Sequence, residues 1–215
     1  IHIHDLDFYA TGTLTCCQTD PLKLFANGGF NTGHGHLRTP NSIASYAALA
    51  AIILQANQNE QHGGQSIPNF DYAMAPGVNK SFKKALRNNL EKYNKYSGKK
   101  VDVKIPDDIA YGDTETLKKL KIPETVIETS NEDVEKQTFQ AMEGFIHNLN
   151  TMHSRAGAQV PFTSINFGTD TTPAGRLVTK NLLEATDKGL GHGETPIFPI
   201  SIFKVKEGVS YNPED

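Results

Sequence analysis

The sequence predicts an α/β fold with mainly parallel strand pairing. Three observations carry that prediction. Short runs rich in Thr, Val, Ile and Phe alternate with helix-length segments whose apolar residues recur every three to four positions. The final unit, residues 160–206, reads strand, helix, strand, the order of a parallel crossover. Glycine and proline clusters punctuate the chain between these segments, with no internal repeat or low-complexity tract.

The elements follow in order. Residues 1–19 alternate well enough for one or two strands, IHIHDLDFY and then ATGTLTCCQTD, which is rich in Thr and Leu and has no helix cap. FANGGFNTGHGHLRTPN, with four glycines and a proline, reads as a loop. A helix begins after Pro40 at Asn41 or Ser42, both favourable N-caps, and puts Ile43, Ala47, Ala50, Ala51 and Leu54 on one face. HGGQS breaks it. A second helix is expected over Ser66 to Tyr96, with Pro68 in its first turn, a kink at Pro76-Gly77, and Val78, Phe82, Leu86 and Leu90 at four-residue spacing. Residues 97–130 are weakly patterned and charged, and are expected to form a surface insertion. A third helix is expected from Ser130, with Asp133 completing a variant of the capping box and Val134, Phe139, Met142, Phe145, Ile146, Leu149 and Met152 on one face. It should end near residues 154–157. The strand QVPFTSINFGT follows, then a helix from Thr172-Pro173 to Gly189. The last strand lies in TPIFPISIFKVKEGV, where Pro199 should interrupt pairing or mark an edge.

A length of 215 residues, 37% of them hydrophobic and 21% charged, suits a globular chain, and residues 1–215 are expected to form a single domain. The net charge of −3 gives no basic footprint for nucleic acid. No run is long enough to span a membrane and no secretory signal is present. Two adjacent cysteines make no disulfide framework, which points to a reducing cytoplasm. The chain opens on Ile1 within a strand-like run and closes on NPED just after another, so it is expected to be a piece of a longer protein.

Cys16 and Cys17 are the only thiols. Neighbours on a strand face opposite ways, so one can meet a cavity while the other packs behind it. Burial as a small hydrophobe is an equally good reading of either. Among the histidines, His2 and His4 share a strand face beside Asp5, and His34 and His36 stand in GHGH. An HxH pair of this kind can hold the metal of a hydrolase. Hydrogen-bonded polar residues lining a cleft or strand end are the alternative, and it is favoured because no HExxH helix accompanies them. His147 and His153 lie on different faces of the third helix and read as structural or exposed. Gly63, Gly64, Gln65 and Ser66 sit where the second helix should begin, so free N–H groups there could gather a phosphate. The commoner use of such glycines is a sharp turn. Neither a Walker A nor a Rossmann fingerprint is present.

The runs IHIHDLDFY, LTCCQTDPLKLFANGGF, PNSI, QHGGQSIPNFDYAMAPGV and TMHSRAGAQVPFTSINFGTDTTPAGR together resemble the large catalytic subunit of the anaerobic (class III) ribonucleoside-triphosphate reductase, in the same order over most of the chain. Residues 97–130 match least. The resemblance implies part of a ten-stranded α/β barrel like that of pyruvate formate-lyase, here a half barrel. It implies reduction of ribonucleoside triphosphates to deoxyribonucleoside triphosphates. A glycyl radical made by an iron–sulfur activase with S-adenosylmethionine would relay to a loop cysteine, and formate would commonly supply electrons. It implies dNTP and ATP effectors near a homodimer interface, for which Gln55, Gln58 and Asn59 are the candidates. The first-strand cysteine should be Cys16, four residues before Asp20, with Cys17 as the alternative. The loop cysteine, the glycyl-radical motif, the four-cysteine zinc site and the N-terminal ATP-cone have no counterpart in this sequence. No metal or cofactor is therefore expected on these residues, and the segment alone is expected to be inactive. A metal-dependent hydrolase using the HxHD histidines, and a non-catalytic domain that binds nucleotide and dimerises, are the competing functions.

Overall fold

The structure, a computed structural model, describes residues 16–61, 63–98, 100–154 and 159–214. Two layers make up the architecture: a four-stranded parallel sheet and a layer of long helices packed on one of its faces.

The sheet runs in the order β1 (Cys17–Gln18), β4 (Gln65–Ile67), β5 (Thr163–Phe167), β6 (Ile200–Phe203). Every neighbouring pair is parallel. The register aligns Gln18, Ser66, Ser164 and Ile200 in one row, and Cys17, Gln65 and Thr163 in the row before it. In β5 the alternation of buried Thr163, Ile165 and Phe167 with half-buried Ser164 and Asn166 sorts the two faces. The apolar set meets the helices; the polar set looks out from an uncovered face.

Between β1 and β4 lie a short helix, α1 (Pro21–Ala26), an antiparallel hairpin of β2 (Gly29–Asn31) and β3 (His36–Arg38), and α2 (Ile43–Glu60). The sequence reading made the whole stretch from Phe25 to Asn41 a loop. Two local devices build structure there instead. Asp20 caps α1 through Leu22 N–H at 3.1 Å, and Asn31 Oδ1 accepts from Gly33 and Gly35 to close the hairpin turn. At α2, Ser42 is the N-cap as expected, forming a capping box with Ser45.

Helix α3 (Phe70–Tyr96) starts four residues later than predicted, because Gln65–Ile67 is a strand that pairs on both sides. Three residues are too few to show a period of two in the sequence. The predicted apolar stripe of Val78, Phe82, Leu86 and Leu90 is buried. Gly77 lets α2 approach, since a Cβ there would lie 2.8 Å from the Tyr46 ring.

Residues 101–122 contain one short helix, α4 (Thr114–Lys119), and send Ile105, Ile109, Leu117 and Ile122 into the core. Helix α5 (Glu124–Thr151) begins six residues before the predicted Ser130. Ser130 is interior: its hydroxyl donates back to the Val126 carbonyl at 2.6 Å and accepts from Asn89. Helix α6 (Pro173–Lys188) runs from its Thr172 cap to Gly189, as the sequence indicated. Pro199 precedes β6 and does not interrupt it, and β6 is an edge strand of the described sheet, as the proline indicated.

Buried Asp71, at the start of α3, ties this layer to the sheet. One carboxylate oxygen accepts the N–H groups of Gly168, Thr169 and Asp170 at 2.8, 3.1 and 3.0 Å. The turn leaving β5 is thereby fixed. A single continuous core from Phe25 to Phe198 unites helices and sheet.

Candidate functional site

The uncovered sheet face carries a hollow of about 460 Å³ between β1 and the start of β6. Cys16, Gln18, Gly64 and Ser66 form one wall, and Phe162, Phe198 and Ile200 the other. The two phenyl rings meet edge to face, 5.1 Å apart. Ser66 donates its hydroxyl hydrogen to Asn166 Oδ1 at 3.2 Å, so the polar wall is itself ordered.

Both cysteines border the hollow, together with Gln65, Thr163 and Ser164, but their sulfurs have different surroundings. Both are free thiols. Cys17, paired in register with Gln65, turns toward α2, where Asn57 Nδ2 donates to its sulfur at 3.0 Å. Cys16 precedes it and is exposed at the hollow. Its sulfur lies against the backbone of Gly63, whose φ is +110°; a Cβ there would come within 3.1 Å of Cys16 Sγ. The Cys17 sulfur has an amide neighbour on α2, which nothing in the sequence signals.

The other candidates are dispersed. Gly63 and Gly64 lead into β4 rather than into a helix start, so the free N–H groups expected to gather a phosphate are not beside them; α3 begins at Phe70. Gln65 is buried and fully engaged, donating to the Leu54 carbonyl at 2.7 Å and accepting from Asn57 at 2.9 Å. Ser66 does reach the hollow. Of the effector candidates on α2, Gln58 is buried with its amide donating to the Val160 carbonyl at 3.2 Å, Gln55 is half-buried, and Asn59 is exposed. Ala47, Ala50 and Ala51 are core residues.

His2, His4 and Asp5 lie outside the described residues. In the hairpin, His36 Nε2 stands 3.0 Å from the Gly28 carbonyl oxygen. Among the described residues no cluster of three His, Cys, Asp or Glu side chains could hold a metal, and no helix is long and apolar enough to cross a membrane. Asn57, which donates to the Cys17 sulfur, was not among the sequence candidates; its one signal is a polar side chain one turn from the end of an alanine-rich helix.

Fold and site together define an α/β protein that presents a thiol on the bare side of a parallel sheet. The family model described as "Anaerobic ribonucleoside-triphosphate reductase" matches residues 1–215. Proteins of that same name are similar over the whole chain: 31% identical in Enterobacteria phage T4, 28% in Haemophilus influenzae and 27% in Escherichia coli. The chain spans 31% of the phage protein and 26% of each bacterial one. This chain belongs to the anaerobic ribonucleoside-triphosphate reductase family, an oxidoreductase family. That membership leaves the hydrolase and the non-catalytic binding domain without support.

Proposed function

We propose that residues 1–215 form the part of a ribonucleoside-triphosphate reductase that holds the ribose and returns a hydrogen to it. Cys16 is the hydrogen donor. The observation that carries this reading is the exposed Cys16 thiol in a hollow of about 460 Å³, in a chain matched to the family over its whole length. That volume lies within the range of small-molecule sites, roughly 300–1,000 Å³.

The chemistry assigns the walls. A ribonucleoside triphosphate lying across the strands would set its hydroxyls against Ser66 and Gln18 and its flat base against Phe162 and Phe198. Gly64, which has no side chain, lets the ligand approach the backbone. Of Gly63, Gly64, Gln65 and Ser66, we keep the last three as the substrate wall, with Gln65 acting through its buried bonds and Gly63 setting the place of Cys16. When C2′ carries a radical after loss of the 2′-hydroxyl as water, the Cys16 S–H bond breaks homolytically, its hydrogen atom forms the new C2′–H bond, and the unpaired electron is left on the Cys16 sulfur, where oxidation of formate would restore the thiol. Proximity supplies much of the rate.

The radical that starts this sequence requires a protein radical, because the C3′–H bond is too strong for any acid or base present here. We assign it to the family's glycyl radical, made by an S-adenosylmethionine-dependent iron–sulfur activase, with formate as reductant. The two thiols of this chain have different surroundings and do not fit a four-cysteine zinc site, so no step is placed on a metal here. The four parallel strands with helices on one side are read as part of the ten-stranded barrel. Of residues 97–130, those before α5 are read as an insertion whose Ile105, Ile109, Leu117 and Ile122 reach the core, whereas 124–130 open α5. We place dNTP and ATP effectors toward the α2 end at Gln55, Gln58 and Asn59, near a homodimer contact, and the enzyme in the cytoplasm.

The test is Cys16→Ser in the full-length enzyme. Reduction of ribonucleotide should fall below detection while the glycyl-radical signal in electron paramagnetic resonance keeps its intensity. Retained turnover would remove Cys16 from the reaction; loss of the radical signal would assign it to assembly instead.

A further inference from the structure

Cys17 stands one position from the proposed donor and carries the same S–H group, so something must decide which thiol meets the ligand. The strand itself is short. β1 has two residues, held by Cys17 N–H to the Gly64 carbonyl at 3.1 Å and Thr19 N–H to the Ser66 carbonyl at 2.8 Å. It is also an edge strand with β4 as its one neighbour in the described sheet. A slip of one residue against β4 would exchange the faces of Cys16 and Cys17.

Side chains supply what the backbone ladder lacks. Asn57 sits on α2 and spends its amide hydrogens on two adjacent strands: one reaches Cys17 Sγ at 3.0 Å, the other Gln65 Oε1 at 2.9 Å. Gln65 is itself immobilised, buried to 3% exposure with its own amide on the Leu54 carbonyl at 2.7 Å. Cys17 and Gln65 are register partners. The chain Leu54, Gln65, Asn57, Cys17 therefore reads the register of β1 on β4 from the helix side. On the opposite face Gly63 leaves Cys16 Sγ its space.

We propose that Asn57 is a positioning residue: by bridging Cys17 to Gln65 it locks the register of β1, so that Cys16 and not Cys17 turns its sulfur to the ligand. This rests on the reading of Cys16 as the hydrogen donor. A register slip would need the Asn57–Cys17 bond to break and would bring Gln18 or Cys16 to the amide instead.

The experiment is limited alkylation of the full-length reductase chain with iodoacetamide, with label assigned to Cys16 or Cys17 by fragment ions that break between them. Wild type should carry most of its label on Cys16. In Asn57→Ala the Cys16-to-Cys17 ratio should fall by about fivefold, the population change that one neutral hydrogen bond sustains. A preserved melting transition shows that the chain remains folded. Asn57→Asp keeps the side-chain volume, removes both donated bonds and should give the same fall; it serves if the alanine variant does not fold. In turnover, kcat should drop with the ratio while KM for the ribonucleotide holds, a split that general loosening of α2 would not produce. An unchanged ratio in both variants, or equal labelling in wild type, overturns the lock. A fallen ratio with undiminished kcat upholds the lock and overturns the assignment of Cys16.

Discussion

At Cys16 and Cys17, one step along the backbone separates a thiol facing solvent from a thiol facing a helix. Pleat alternation alone makes that division, and it was legible in the sequence because a Thr- and Leu-rich run without a cap reads as a strand. Which thiol faces which way was not legible, since it depends on the partner strand and on Asn57, 40 positions away. Gly63 is the second determinant. Its φ of +110° suits glycine, and a methyl there would press on Cys16 Sγ at 3.1 Å. Gly63→Ala should therefore cost about 1–3 kcal/mol of stability through backbone strain and displace the thiol. Urea unfolding and the rate of Cys16 alkylation measure both effects; an unchanged midpoint together with an unchanged rate would show that neither constraint operates.

At the scale of elements, the long helices were the readable part. α2 and α6 begin at the Ser42 and Thr172 caps that the sequence marks. The misread boundaries share a cause: a polar residue whose partner is distant looks like a local signal. Ser130 resembles a cap but satisfies itself one turn back and against Asn89 of α3. The strand β4 reads in the sequence as the first turn of a helix because its meaning lies in β1 and β5. The segment before α4 is likewise held from afar. Lys83 of α3 pairs with Asp107, and Arg87 adds its charge at 3.4 Å. The Lys83 hydrogen bond, and then its charge, hold the Asp107 carboxyl below the ordinary carboxylate range. A group depressed in the folded state stabilises above its unfolded pKa, and that contribution is lost as pH falls through the folded value. The Asp107 carboxyl resonance should thus titrate below that of an unperturbed aspartate, and Lys83→Met should raise its midpoint. A midpoint that the Lys83 substitution leaves in place would rule out this account. Because Asp107 is exposed, the tether sets the lie of the segment more than it sets stability.

For the molecule as a whole, the decisive feature is that, among the described residues, the helices take one side of the sheet. The α/β class was legible from the alternation of elements, whereas the one-sided layering emerges only when buried Thr163, Ile165 and Phe167 are seen to share a face with the helices. The opposite side exposes Phe162 at 51% and Ile200 at 57% of their surfaces, with Ile202 close by. Exposed apolar groups gathered in this way mark surfaces that take up partners. The 215-residue chain on its own should accordingly enhance the fluorescence of an apolar dye and self-associate in sedimentation, and Ile200→Ser should weaken both. A monodisperse, dye-silent monomer would refute this expectation.

The unclad side of the sheet is also not uniform. Its polar members, Gln18, Ser66, Ser164 and Asn166, stand on β1, β4 and β5, while Ile200 and Ile202 occupy β6. Wettability thus changes across one strand spacing, roughly 4.8 Å, between β5 and β6. A guest matching that gradient is two-ended, with alcohol groups at one flank and a ring at the other. Turned end for end, it would set its ring against amides and its alcohols against methyl groups, leaving buried acceptors without donors. Under the proposed function, such a face would orient its ligand before any chemistry begins.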